Sequence, residues 1–189
     1  MGLPQQKLTL QAYLDWENAQ PEKHEFHRGE VFAMVGARRT HGCVIANLMM
    51  QLGLQLRGKP WQVFSGGMKV QIGDDTILYP DVFVTCDRQD LRTEMIFRAP
   101  TLVVEVLSPS TQAYDRSQKF ALYRRLASLR EYLLIDPETR RCEVFRINAE
   151  GLFVLYDMSE AAALEFSCIG CQVAIADVFD GLDVGPEPE

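Results

Sequence analysis

The run Thr101 to Leu107 constrains this chain more than any other segment. Leu102, Val103, Val104, Val106 and Leu107 are apolar, and Glu105 is the single charged residue among them. Successive side chains of a strand point to opposite faces, so a strand apolar on both faces must be covered on both sides. That predicts a central strand in a layered α/β or α+β domain. It also makes Glu105 costly, because an ionised carboxylate in such surroundings is destabilising unless it is paired or bound to a cation. A buried salt bridge is the plain alternative to a functional role.

The rest of the chain supplies the layers. Thr9 caps a short helix with Leu10, Tyr13 and Leu14 on its apolar face, and Pro21 ends it. Glu25 to Met34 reads as strand–turn–strand through Arg28-Gly29. From Thr40 to Arg57 the spacing of Ile45, Leu48, Met49, Leu52 and Leu56 predicts an amphipathic helix, closed by Gly58. Trp61 to Ile72 and Ile77 to Cys86 are predicted as two strands joined by a hairpin turn at Gly73-Asp74-Asp75. Ser108 to Thr111 start a helix to about Ser128, with Phe120, Tyr123 and Leu126 or Ala127 inward. Further strands are expected over Glu131–Asp136, Arg141–Ile147 and Leu152–Met158. The expected architecture is α/β (α+β), a central mixed sheet flanked by helices with additional strands. One domain is expected over 1–189: an N-terminal helix and strands to 35, a core over 36–137, a β-rich extension over 138–184 and a frayed acidic tail over 185–189.

Composition excludes some classes. No apolar run approaches the roughly 20 residues that span a bilayer, and Met1 to Gln11 lack the pattern of a signal peptide, so the expectation is a cytoplasmic protein without a membrane partner. The cysteines are Cys43, Cys86, Cys142, Cys168 and Cys171; the single CxxC at 168–171 lacks the second pair that a structural zinc site needs. The net charge of −7 argues against indiscriminate polyanion binding, unless a local basic group such as Arg116, Lys119, Arg124 and Arg125, or bound cations, offsets it.

A second acid resembles Glu105. Asp81 opens the apolar run Val82-Phe83-Val84 directly after Pro80, which cannot donate to a ladder and suggests a strand start or bulge that aims the next side chain. A turn aspartate is the alternative. Adjacent strands would bring both carboxylates to one point, where like charges call for a cation, and hard oxygen donors suit magnesium or manganese better than zinc. Lys119, in the helix after the Glu105 strand, would reach back to that point and stabilise charge on a phosphoryl group. It would equally serve as an i,i+4 partner of Asp115 on a helix surface.

Taken in order, these residues resemble a PD-(D/E)xK nuclease site and, more closely, the Uma-two family. The matching signals are Glu25 with Gly29-Glu30, His41 at a helix start, Tyr79-Pro80-Asp81, Val104 to Thr111, Asp115 with Lys119 and Tyr123, and Glu131 to Pro137. The resemblance implies a restriction-endonuclease-like core and metal-assisted hydrolysis of DNA phosphodiester bonds. Asp81, Glu105 and the Val106 carbonyl would be metal ligands. Where the motif has its lysine, two residues after Glu105, this chain has Leu107, and Lys119 would take that role. Glu30 would complete the metal shell, or be a solvated hairpin residue. His41 would carry protons near the site, or cap its helix. A homodimer would let two sites address two strands. The rival reading, motivated by the acidic balance and Leu107, is a nuclease fold kept as a non-catalytic binding or assembly module.

Overall fold

In the computed structural model, residues 6–34, 36 and 38–183 are described, which leaves the predicted tail at 185–189 outside. The first elements follow the sequence reading closely. Helix α1 (Leu10–Glu17) is capped by Thr9, whose hydroxyl accepts from the Ala12 amide at 3.2 Å. Strands β1 (His24–His27) and β2 (Glu30–Ala33) form a hairpin in which both turn residues, Arg28 and Gly29, have positive φ. Helix α2 (Arg39–Gln55) carries a buried stripe of Val44, Leu48 and Leu52, each fully buried and so worth roughly 1.5–3 kcal/mol. Ile45 and Met49, expected on that stripe, lie at its edge and are only partly buried.

The two long strands predicted around the Gly73 hairpin are each divided. Trp61 to Ile72 becomes β3 (Gln62–Ser65) and β4 (Lys69–Ile72), separated by Gly66 and Gly67, both at positive φ. A side chain at Gly67 would collide with the Lys23 side chain. Ile77 to Cys86 becomes β5 (Thr76–Leu78) and β6 (Val82–Thr85), separated at Tyr79-Pro80-Asp81. The two breaks let the hairpin cross between sheets: β4 and β5 join a five-stranded sheet ordered β2-β1-β5-β4-β7, with β7 at Ile96–Phe97. β3 and β6 join a six-stranded sheet with β8 (Leu102–Val106), β9 (Glu131–Asp136), β10 (Arg141–Ile147) and β11 (Phe153–Asp157), ordered β11-β10-β9-β8-β6-β3.

In the larger sheet β8 (Leu102–Val106) is central and buried throughout, as its composition requires. It pairs antiparallel with β6 and parallel with β9 (Glu131–Asp136). Parallel neighbours need a crossover, and here it is helical. α3 (Gln112–Tyr114) passes through a π-helical segment, Asp115–Lys119, into α4 (Phe120–Tyr123), shorter than the predicted helix to Ser128. Thr111 sits at its N-cap without a side-chain capping bond; the hydroxyls of Ser108, Ser110 and Thr111 bond one another instead. β10 (Arg141–Ile147) and β11 (Phe153–Asp157) complete the sheet. A hairpin of β12 (Ala163–Phe166) and β13 (Cys171–Ala174), then α5 (Ile175–Val178), follow.

Alternation along β8 sorts the core. Leu102, Val104 and Val106 pack with α2 and the C-terminal hairpin, while Val103 packs with Phe83, Phe120, Tyr123 and Tyr132 on the other face. Glu105 shares parity with Val103 and therefore points toward the crossover helix. No helix among the described residues is long and apolar enough to cross a membrane.

Candidate active site

Asp81 and Glu105 are neighbours because of the β6–β8 register. Val82 lies opposite Val104 and Phe83 opposite Val103, so the residue before β6 falls beside Glu105. The break at Pro80 frees Asp81 from the ladder. Its Oδ2 accepts from the Val106 amide at 2.7 Å and lies 3.2 Å from His41 Nε2. His41, near the start of α2 but not its cap, has its Nδ1 buried without a partner among the described residues.

Glu105 is held from the crossover helix. Tyr123 donates its hydroxyl to Oε1 at 3.0 Å, and the Lys119 ammonium lies 3.0 Å from Oε2. Lys119 also contacts Glu25 at 3.2 Å and Asp115 at 3.7 Å. Asp115 and Lys119 bound the π segment, which turns both side chains inward; local π geometry of this kind is frequent at functional sites. The i,i+4 surface pair allowed by the spacing is thus a buried one, with Asp115 3% and Lys119 6% exposed. Glu25, Asp81, Glu105, His41 and Lys119 all line one cavity of about 900 Å³.

Comparison with known proteins gives the family and the fold. Residues 10–170 match the family described as "putative restriction endonuclease". The chain belongs to the Uma2 family. Two proteins of Synechocystis sp., both described as uncharacterized, are similar: one is 35% identical, covering 95% of this chain and 95% of its own, and the other is 34% identical, covering 85% and 93%. In fold, the chain resembles the crystal structure of a "putative nuclease" from Anabaena variabilis, with a TM-score of 0.75 at 18% identity over 91% of this chain and 97% of that one.

In this Uma2 chain Leu107, two residues beyond Glu105, is buried in the core among Phe120 and Leu134. The lysine at the acids is Lys119, delivered by the helix. Glu30, by contrast, does not line the cavity. It lies at the turn end of the β1–β2 hairpin, exposed and 3.5 Å from Lys7. The hairpin carboxylate at the cluster is Glu25, which the sequence reading left without a chemical role. Its strand, His24-Glu25-Phe26-His27, has no apolar run to make an acid conspicuous. Its only signal was membership of the family pattern.

The charges are unbalanced. Burial pushes the Glu105 carboxyl well above the usual carboxylate range, with Asp81, Asp115 and Glu25 adding to the shift and Lys119 opposing it. Burial likewise raises Asp115. Burial disfavours the charged form of Lys119, yet Glu105, Glu25, Asp115 and Asp81 together hold it well above an ordinary lysine. Burial works against protonated His41 too, but Asp81 outweighs it and raises the imidazole. Burial is thus the main reason that Glu105 and Asp115 hold their protons more tightly, and the neighbouring carboxylates add to it. Among the described residues, no group of three or more acidic, histidine or cysteine side chains is placed to hold a metal ion by itself. By donor type and charge the acids fit a hard divalent cation that keeps several waters and takes one or two carboxylates.

Proposed function

We propose that this chain is a magnesium- or manganese-dependent endonuclease that hydrolyses DNA phosphodiester bonds. The observation that carries the reading is the excess of carboxylate at the cavity wall: Asp81 and Glu105 side by side, with Glu25 and Asp115 around a single ammonium. Asp81, Glu105 and the Val106 carbonyl would hold the metal, which when bound polarises a water and the phosphate oxygens. Lys119, fixed by three carboxylates, presents a positive charge where a phosphoryl group gains negative charge. Tyr123 fixes the rotamer of Glu105, and His41 fixes Asp81. With its raised proton affinity, His41 is suited to pass a proton at the cavity.

The test is cleavage of plasmid DNA in magnesium or manganese. Wild type is expected to cut, and Asp81→Ala to lose at least about a hundredfold in rate. Equal cutting by both would refute the assignment. A second reading, a nuclease fold used without catalysis, draws on one observation: Lys119 already occupies the centre of the acids as their counterion. It predicts that millimolar magnesium or manganese leaves the melting temperature unchanged.

A further inference from the structure

We propose that the strand this site accepts is single-stranded DNA, with one unpaired base laid against Phe32; this rests on the nuclease reading above. Phe32 lies directly opposite Glu25 in the β1–β2 register, so the two side chains share the face that looks into the cavity. Glu25 is buried against Lys119, whereas Phe32 is 46% exposed. A large aromatic ring thus stands open to solvent one strand away from the reacting groups. Met34, 37% exposed, continues the same wall. A phosphate needs no apolar wall, but the face of a base does.

Size points the same way. A cavity of about 900 Å³ is roughly 10 Å across, in the range of small-ligand sites and enough for one or two nucleotides. Glu105, at 2% exposure, lies inside it. An intact duplex is a rod wider than its own major groove of about 12 Å, and its phosphates are held on its outer surface. It would meet the rim before a phosphate met Glu105 or Lys119. A strand free of its complement can bend in.

The charges on the lining complete the match. Arg28 and Arg125 share one partner, Asp75, at 3.5 and 2.7 Å, and Arg38 lines the same cavity through an exposed pair with Glu138. Two guanidinium groups on one carboxylate leave net positive charge, and exposed ion pairs exchange readily for phosphate. This rim is local in a chain of net charge −7. A long polyanion gains little from such a chain as a whole, whereas stacking of an unpaired base on an aromatic ring is indifferent to net charge.

The experiment is fluorescence anisotropy of a labelled 20-nucleotide DNA, alone or annealed to its complement, with the full chain in calcium, followed by cleavage of both in magnesium or manganese. The single strand should bind at least about tenfold more tightly than the duplex. Phe32→Ala should lose about tenfold of that affinity, Phe32→Trp should retain it, and duplex binding should respond to neither. Phe32 is exposed, so these variants should fold as wild type does. Equal or tighter duplex binding, or no effect of Phe32→Ala, would overturn the proposal. An RNA of the same sequence bound more tightly than the DNA would overturn its assignment to DNA. Equal cleavage of duplex and single strand would overturn it too, while leaving the nuclease reading intact. Preferential binding of the single strand with no cleavage of either would support it and overturn the nuclease reading instead.

Discussion

Two buried glutamates stand on adjacent parallel strands of one sheet and have opposite fates. Glu131 opens β9 and is 1% exposed; Glu105, near the end of β8, is 2% exposed. Glu131 is closed off by donors: the Arg146 guanidinium at 2.5 Å, the Ser167 amide at 3.2 Å and the Cys168 thiol at 3.1 Å. One carboxylate meets one cation, and both of its oxygens accept hydrogen bonds. Glu105 has the Tyr123 hydroxyl and a lysine that Glu25 and Asp115 also claim. Burial is equal, so burial does not mark the site. Charge balance separates them: Glu131 joins the C-terminal hairpin to the sheet with a cation of its own, whereas Glu105 shares one lysine with Glu25 and Asp115.

Exchange of roles between the two glutamates would break that comparison, and the largest effect expected is on rate. Glu105→Ala should lower metal-dependent cleavage by at least about a thousandfold, since it removes a proposed direct ligand. The same variant should lose the rise in melting temperature expected of wild type in magnesium or manganese, about 2.7 kcal/mol at a hundred times the dissociation constant. Glu131→Ala should do the reverse. It leaves the partly buried Arg146 and the Ser167 amide without their acceptor, and should cost on the order of 2–3 kcal/mol in urea unfolding. Cleavage per folded molecule, and the metal-dependent rise, should be kept.

A smaller effect sharpens the contrast. Tyr123→Phe removes one hydrogen bond to Glu105 and should cost about 1 kcal/mol of stability. Because that bond orients a proposed ligand, metal affinity measured by titration calorimetry should fall about tenfold. Loss of stability with unchanged metal affinity would mark Tyr123 as packing alone.

The smallest effect is on pH. Burial raises Glu105 and Asp115 in the folded state, so the folded protein keeps protons that the unfolded chain releases in the ordinary carboxylate range. The stabilisation from that retained proton is complete below this range and is lost as pH rises through the folded values. The metal-free protein should therefore melt lower as pH climbs above the ordinary carboxylate range, and Glu105→Gln should flatten the decline. Metal binding should strengthen over the same window, because the ligands must lose their protons.

Much of this was legible in the sequence, for local reasons. The apolar run 102–107 and the period of α2 are set by residues close together in the chain, and the cost of an acid among valines singles out Glu105. Pro80 announced a break before Asp81, and the family pattern supplied Lys119. The choice between Glu25 and Glu30 was not legible. Both point to the same face of the hairpin, and alternation gives a face without saying how far along it the cluster lies.

What the sequence by itself determined, then, is which side chains are expensive to bury. Strand parity and helix period follow from chain geometry within a few residues, and so does that expense. That the chain passes from one sheet to the other at Gly66-Gly67 and at Tyr79-Pro80-Asp81 belonged to the tertiary structure, because only the pairing of two separate sheets requires it to turn there. So did the meeting of Glu25, Asp81, Glu105 and Asp115 around Lys119. Those residues are up to 94 positions apart, from Glu25 to Lys119, and a charge imbalance exists only once their separations are fixed.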